Sequence, residues 1–140
     1  MKIILPGSAR DVIVSHSLAA RPLEACGLIA GSVEGDAKRV AKIYVLRNLD
    51  ESRIHFTVDQ REQLAAVKDM RAMGLVPLGN FHSHPDTPAR PSEEDVRLSF
   101  DPRASYLILS LAGPEPVLKS FHVEREAGLV EEEPIEIEAG

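Results

Sequence analysis

At residues 75–95 the chain reads LVPLGNFHSHPDTPARPSEED. The first ten residues predict a strand, Leu75 to His84. Pro85 ends this strand because proline has no backbone N–H to donate, and Pro88 and Pro91 stiffen the loop that follows. Ser92 to Ser99 predicts a short helix. The stretch is therefore expected to place a strand end and a helix start on either side of a rigid loop.

Two histidines and an aspartate of this stretch form a candidate metal site. Residues two apart on a strand share a face, so His82 and His84 can direct their imidazoles to one point. The pair alone is a weak signal and is more typical of a surface or partly buried strand with two solvated histidines. Ser92-x-x-Asp95 fits a helix capping box, and a carboxylate in a first helical turn can also face a metal. Two histidines and one carboxylate are a common ligand set for a catalytic zinc.

The rest of the chain alternates helix and strand patterns. The further predicted elements are a helix at Ser8 to Ala20, strands at Cys26 to Val33, Arg39 to Leu46 and His55 to Val58, a helix capped by Thr57 or Asp59 and closed at Gly74, and strands at Tyr106 to Leu111, Val117 to Val123 and Leu129 to Ile137. This order predicts an α/β domain with a mixed sheet flanked by helices. We treat residues 1–140 as a single domain, with no repeat or linker that suggests a second.

Apolar spacing predicts which residues of these elements are buried. The predicted buried positions are Val12, Ile13 and Leu18 with His16 on the first helix, Leu64, Val67 and Met70 on the second, and Val76 and Leu78 on the face of the strand that carries His82.

Composition excludes several classes of protein. A net charge of −6, without a cluster of Lys or Arg, argues against nucleic-acid binding. No apolar run approaches the roughly 18 residues of a membrane span, and the N-terminus does not resemble a signal peptide. The single cysteine, Cys26, cannot form an internal disulfide, which favours a cytoplasmic protein. A small buried core residue is the preferred interpretation of Cys26, with a regulatory thiol as the alternative.

Glu24 lies in RPLEACGLIAG, at the junction between a predicted helix and a predicted strand. An exposed junction glutamate and a general base beside a metal site are both consistent with this position. The local pattern leaves the two interpretations open.

Five residues together resemble the JAMM motif of the JAB1/MPN metallopeptidase family. Glu24 precedes His82-Ser83-His84-Pro85, and Ser92 follows after the motif's seven-residue spacing, with Asp95 three residues later. PLEACGLIAG and YLILSL resemble two core strands of the family. The resemblance covers most of the chain, with a motif-bearing core at about residues 8–123.

The resemblance implies a cytidine-deaminase-like sandwich that holds one zinc per chain. Its ligands would be His82, His84 and Asp95, with a water in the fourth position. Glu24 would be the general acid/base and Ser92 the donor that stabilises the oxyanion. The expected reaction is hydrolysis of an isopeptide or peptide bond.

The expected partner is the C-terminal tail of a ubiquitin-like or sulfur-carrier protein. The short segments at Asn48 to Ile54 and Ser99 to Ser105, where larger members carry insertions, indicate the compact prokaryotic type. Arg53 and Arg90 are candidates for binding the substrate tail, although solvated arginines explain them equally well. A homodimer through an exposed edge strand at Ile135 to Ile137 is a further possibility.

Two other functions remain open at this point. The first is a non-catalytic scaffold of the MPN type, but such domains typically lack one or more motif residues, and this chain has all five. The second is a zinc deaminase, which usually requires a C-x-x-C pair that a chain with one cysteine does not contain.

Overall fold

The structure, a computed structural model, describes residues 1–53 and 57–140. In this part of the chain, eight strands and three helices follow one another in the order β1 Lys2–Pro6, α1 Gly7–Ala20, β2 Cys26–Glu34, β3 Ala37–Leu46, α2 Gln60–Ala72, β4 Val76–His84, α3 Glu93–Arg97, β5 Ser105–Ser110, β6 Val117–Glu124, β7 Leu129–Glu133 and β8 Ile135–Glu138. The mixed α/β architecture is confirmed, whereas the cytidine-deaminase-like label stays a prediction. Residues 55 and 56 of the strand predicted at His55 to Val58 lie outside the described residues.

The strands form one mixed sheet in the order β7-β6-β5-β4-β2-β3-β1-β8. β7 and β8 follow each other in the chain but occupy opposite edges of this sheet. The single strand predicted at Leu129 to Ile137 is therefore wrong. Pro134 separates the two strands because it has no N–H for a ladder bond, and its carbonyl accepts from the backbone N–H of Ile3 at 3.0 Å. The sheet thus curls until its two edges approach each other.

β1 is a strand that the sequence pattern does not reveal. It pairs in parallel with both β3 and β8, and its residues Ile3 and Leu5 are fully buried. Its five residues are too few to show periodicity before the helix begins. Its partners, one near the opposite terminus, are what make it a strand.

α1 packs on one side of the sheet through a narrower face than the sequence predicts. Ala9, Ile13 and Ser17, spaced four residues apart, are its buried positions. Val12 and Leu18 are 42% and 47% exposed, so their predicted burial is wrong. Two of the three contact residues are small, so the positions of large apolar side chains do not indicate this face.

α2 lies on the other side of the sheet. Asp59 is its N-cap and accepts from the backbone N–H of Arg61 at 2.8 Å, as one of the two predicted caps. Gly74, just beyond the helix, has a φ of 71°, which glycine adopts at low cost. The buried positions are Ala66 and Met70. Leu64 is 56% exposed, contrary to the prediction.

β4 changes face at an irregularity next to Gly79. The pairing of β2 with β4 shifts register here, and Gly79 has a φ of 155°. Leu78 consequently belongs to the same buried cluster as Phe81, while Val76 is 46% exposed. The predicted common face of Val76 and Leu78 with His82 is wrong, because a bulge breaks the two-residue period.

Gly31 allows the backbones of β2 and β3 to approach closely. A Cβ at this position would lie 1.9 Å from the carbonyl oxygen of Arg39. We expect Gly31→Ala to lower the free energy of unfolding by about 1–3 kcal/mol, because the two strands must move apart. Gly113→Ala is the control, since the nearest atom there would be 3.9 Å away. Equal stability of the two variants in urea denaturation would contradict the expectation.

In the part of the chain that the structure describes, no helix has the length and apolar character needed to cross a bilayer. The longest, α1, has 14 residues, against roughly 20 for a transmembrane helix.

Candidate metal centre

Three side chains from β4 and α3 converge on one point. His82 and His84 extend from the last residues of β4, and their Nε2 atoms are 3.1 Å apart. Each of these nitrogens also lies close to the same oxygen, Oδ2 of Asp95, at 3.2 and 3.1 Å. The structure therefore brings together the three ligands that the sequence predicts, across the loop of residues 85–91.

Asp95 has two simultaneous roles at the start of α3. Its Oδ2 accepts from the backbone N–H of Ser92 at 2.9 Å, and its own N–H donates to Ser92 Oγ at 3.1 Å. This reciprocal pair is a capping box. The cap fixes the Asp95 carboxylate toward the histidines. It also uses Ser92 Oγ only as an acceptor, so the hydroxyl proton can be donated elsewhere.

The loop of residues 85–91, which we call the metal loop, orients one of the imidazoles. His84 Nδ1 lies 2.9 Å from the carbonyl oxygen of Pro88. A carbonyl can only accept, so this contact assigns the proton to Nδ1 and leaves the lone pair of Nε2 for the cluster. The contact gives the proline-rich loop a second function beyond its stiffness.

Glu24 is buried beside this cluster and is 2% exposed. Its Oε1 lies 4.0 Å from His82 Nε2 and has no hydrogen-bond partner among the described residues. Its backbone N–H donates to the Ser52 carbonyl at 2.6 Å, and Asn48 Nδ2 donates to its carbonyl at 3.0 Å. The exposed-junction interpretation is therefore wrong, because the carboxylate points into the protein at the candidate site.

Ser83 and Asn48 position this glutamate, and the sequence argument did not identify either. Ser83 Oγ accepts from the backbone N–H of Ala25 at 2.8 Å, and the Ser83 N–H donates to the Ala25 carbonyl at 2.9 Å. These bonds tie the residue after Glu24 to β4 between the two histidines. No local pattern identifies such contacts, since they join segments 58 residues apart.

The two carboxylates of the site differ in their preferred protonation. Burial, with the charges of Asp95 and Glu94 adding to it, raises the pKa of Glu24 to about 9. Burial also opposes ionisation of Asp95, but its contacts with the imidazoles of His82 and His84 and with the backbone N–H of Ser92 outweigh it and hold the pKa of Asp95 well below its usual range. The site therefore concentrates acceptor atoms and negative charge that a cation would stabilise.

The donor set fits a divalent metal ion. The ligand atoms of His82, His84 and Asp95 all lie within 4.8 Å of one another. Two imidazole nitrogens and one carboxylate oxygen match the three protein ligands of hydrolytic zinc sites. The Glu24 oxygen without a partner, buried at the edge of this set, is a second observation that fits a bound cation with a coordinated polar molecule.

Other candidate residues lie around the centre. Arg53 Nη2 is 3.0 Å from Asp86 Oδ2, so it joins the segment after β3 to the metal loop. Arg90 is exposed, and among the described residues its side chain has no ion-pair partner. Cys26 is fully buried, with Sγ 3.7 Å from the Leu46 carbonyl oxygen, as predicted for a core residue.

Comparison with known proteins gives consistent matches. Residues 6–124 match the family model described as prokaryotic homologues of the JAB domain. The CysO-cysteine peptidase of Mycobacterium tuberculosis is 31% identical over 136 residues, covering 96% of this chain and 90% of the relative. The desampylase of Haloferax volcanii is 31% identical over 117 residues, with 80% and 83% covered. The solution structure of a Desulfitobacterium hafniense protein aligns with a TM-score of 0.89 and 53% identity, covering 99% of this chain and 94% of the other.

Proposed function

This chain belongs to the family of prokaryotic homologues of the JAB domain and is a hydrolytic enzyme, and we propose that it cleaves an amide bond at the C-terminal tail of a ubiquitin-like or sulfur-carrier protein. The observation that carries the proposal is the position of Glu24, whose buried carboxylate has an oxygen without a partner 4.0 Å from His82 Nε2. A chain that only bound a metal or a partner protein has no need of such a group. We also propose that residues 1–140 act as one domain in the cytoplasm.

His82, His84 and Asp95 would hold one zinc ion per chain. When bound, zinc lowers the pKa of a water to about 7, polarises the amide carbonyl and favours the ionised form of a nearby carboxylate such as Glu24. The contact from His84 Nδ1 to the Pro88 carbonyl and the capping box at Asp95 would keep these ligands in place.

Glu24 would move the proton between the attacking water and the leaving amine. Its two oxygens make it a carboxylate that can accept a proton and later donate it. Its backbone is fixed by Ser52 and Asn48, so the side chain reaches the cluster from a rigid segment. Such positioning reduces the entropy that the reaction must lose.

Ser92 would donate a hydrogen bond from its hydroxyl to the negatively charged oxygen of the tetrahedral intermediate. Its Oγ is held by the N–H of Asp95, a residue of the ligand set. Removing one such donor typically costs about 3–4 kcal/mol of transition-state stabilisation. Arg53 and Arg90 would contact the substrate tail, because Arg53 pairs with Asp86 of the metal loop and Arg90 is an exposed residue of this loop.

Metal content is the first test of this proposal. We expect the purified chain to contain about one zinc per molecule by elemental analysis, and His84→Ala and Asp95→Asn to lose most of it. His16→Gln is the control, because His16 lies outside the cluster and its Nε2 has no hydrogen-bond partner among the described residues. Zinc content that is absent from the wild type, or unchanged in the two ligand variants, would overturn the assignment.

Substrate cleavage is the second test. The zinc-loaded chain would be incubated with ubiquitin-like carriers that bear a C-terminal amino acid, and with the same carriers attached to a lysine. The masses of the products would then be measured by mass spectrometry. Release of the amino acid alone would indicate processing of a sulfur carrier, and release of the lysine conjugate would indicate an isopeptidase. A zinc-loaded chain that leaves every substrate intact would favour the non-catalytic scaffold.

A further inference from the structure

The acidic and basic residues of helix α2 lie on different sides of the helix. Glu62 accepts from the backbone N–H of Arg47 at 2.9 Å, just after β3. Asp69 accepts from Lys42 Nζ at 2.7 Å and from the Tyr44 hydroxyl at 2.5 Å, both on β3. Both acidic side chains of the helix are therefore engaged toward β3.

The opposite side of α2 carries only positive charge. Arg61, Lys68 and Arg71 are exposed, and in residues 1–53 and 57–140 none of them has an ion-pair partner. Their spacing of seven and three residues places them on one face of the helix. Leu64, 56% exposed, lies among them. We call Arg61, Leu64, Lys68 and Arg71 the α2 basic face.

This surface differs from the rest of the molecule. The chain has a net charge of −6, yet this face combines three unpaired cations with an exposed leucine and has no acidic side chain. Like charges on one helix face repel each other and destabilise the helix slightly. A single exposed leucine is ordinary, but an apolar side chain next to three unpaired cations is suited to a contact with an acidic partner.

Helix α2 lies on the same side of the sheet as the His82, His84 and Asp95 cluster. The helix packs against Leu28 of β2, and Leu28 pairs with Asn80, which is two residues from His82 on β4 and so shares its face. The segment that leads into α2 also holds Glu24: Asn48 bonds to the Glu24 carbonyl and pairs with Val58. A protein whose tail enters the site would therefore have its folded part within reach of α2.

We propose that the α2 basic face docks the folded body of the ubiquitin-like protein whose tail is cleaved, through an acidic patch with an apolar centre on that protein. This inference rests on the proposed function. From Arg61 to Arg71 the helix rises about 15 Å, enough for one small patch. Opposite charges there accelerate encounter and fix the orientation of the carrier, while the metal site contributes the chemistry.

A folded acidic protein fits this face better than a nucleic acid does. Three cations on one face neutralise few phosphates, and the net charge of −6 repels a polyanion as a whole. Leu64 offers no contact to a phosphate backbone but can enter an apolar depression on a protein. A 20-nucleotide single strand is therefore expected to bind weakly, and binding of that strand without binding of the carriers would overturn the proposal.

The test compares two charge-matched pairs of variants. Arg61→Glu with Arg71→Glu changes the α2 basic face, and Arg103→Glu with Arg125→Glu makes the same change in net charge on exposed residues next to β5 and β6. The probes are the CysO carrier of M. tuberculosis and the carriers of the cleavage panel, labelled and titrated into the Glu24→Gln protein. We expect the first pair to weaken binding about 10- to 100-fold and the second by less than about threefold.

Salt and Leu64 give independent readouts. Raising NaCl from 50 to 500 mM is expected to weaken carrier binding to the parent protein more than to the α2 pair, because the attraction it screens is already lost there. Leu64→Asp is expected to weaken binding without a change in helix content by circular dichroism. Equal affinities for the two variant pairs, or no carrier binding by the parent protein, would overturn the proposal.

Kinetics separates this proposal from the proposed function. On a zinc-loaded background, the α2 pair should reduce kcat/KM for an intact carrier adduct but not for a peptide of the carrier's last eight residues with the same adduct. If neither substrate is cleaved while the α2 pair weakens carrier binding, the hydrolysis fails and the docking surface stands. If cleavage proceeds and both variant pairs behave alike, the docking surface fails and the hydrolysis stands.

Discussion

Glu24→Gln is expected to lower the rate of amide hydrolysis by about 10²–10⁴-fold while the protein keeps its zinc. The glutamine side chain has the shape of the glutamate side chain but cannot take a proton from water and return it to the leaving amine. Zinc is retained because His82, His84 and Asp95 are unchanged. The measurement is kcat/KM on the cleaved substrate together with elemental analysis of the same sample.

Stability distinguishes this effect from damage to the fold. Glu24 is 2% exposed and its Oε1 has no partner among the described residues, so the substitution removes a buried ionisable group. We expect the midpoint of thermal unfolding to be unchanged or higher. Glu34→Gln, at an exposed glutamate, is the control and should keep full activity. Activity in Glu24→Gln near that of the wild type would show that another group moves the proton.

The metal-free protein gives a pH test of the same residue. Burial raises the pKa of Glu24 from 4.5 to about 9, so between these values the folded state binds a proton that the unfolded state has released. The free energy of unfolding of the wild type is therefore expected to fall as pH rises from about 4.5 toward 9, relative to Glu24→Gln. Parallel pH profiles in urea denaturation would contradict this assignment.

Glu133→Ala is expected to lower the free energy of unfolding by about 3–5 kcal/mol. Glu133 is 2% exposed, at the end of β7, where the chain passes Pro134 to the other edge of the sheet. Its Oε1 accepts from Ser105 and Ser120 Oγ at 2.7 Å, and its Oε2 lies 2.6 Å from His122 Nε2. The substitution leaves these buried groups without their acceptor.

Lys38 is the buried cation of this network. It is 5% exposed, and its Nζ donates to Ser105 Oγ at 2.8 Å and to the Arg103 carbonyl. Because Lys38→Met removes the charge that Glu133 balances, we expect Lys38→Met combined with Glu133→Ala to cost less than the sum of the single changes. Additive costs in denaturant titrations would show that the two charges do not interact.

Glu132→Ala is the matched control for this second prediction. It removes the neighbouring glutamate of the same strand, whose side chain is 57% exposed and lies 3.8 Å from Lys119. Exposed ion pairs contribute little, so the expected change is within about 0.5 kcal/mol. A loss in Glu132→Ala as large as that in Glu133→Ala would show that the effect comes from β7 itself and not from the buried network.

Local sequence patterns predicted most of the elements for identifiable reasons. Strands β4 and β5 and helix α2 carry strong apolar or capping signals, and Asp59 and Ser92 act as the caps that their positions indicate. The errors occur where distant contacts decide. Leu64 has helical spacing but faces solvent, and Leu78 leaves the face of His82 because a bulge at Gly79 interrupts the strand period.

The sequence by itself determined the His-His-Asp cluster of this protein, which could hold a metal ion. His82, His84 and Asp95 lie within 14 residues of one another, joined by a proline-stiffened loop and a capping box, so local geometry alone brings them together. Only the tertiary structure decided the position of Glu24 and the closure of the sheet. Glu24 is held beside this cluster by hydrogen bonds of the backbone around it to Ser52, Asn48 and Ser83 of β4, and β1 and β8 become strands by pairing with each other. Such contacts join segments that are distant in the sequence, and burial strengthens them. They cannot be predicted from a local sequence pattern, because each pattern describes only neighbouring residues.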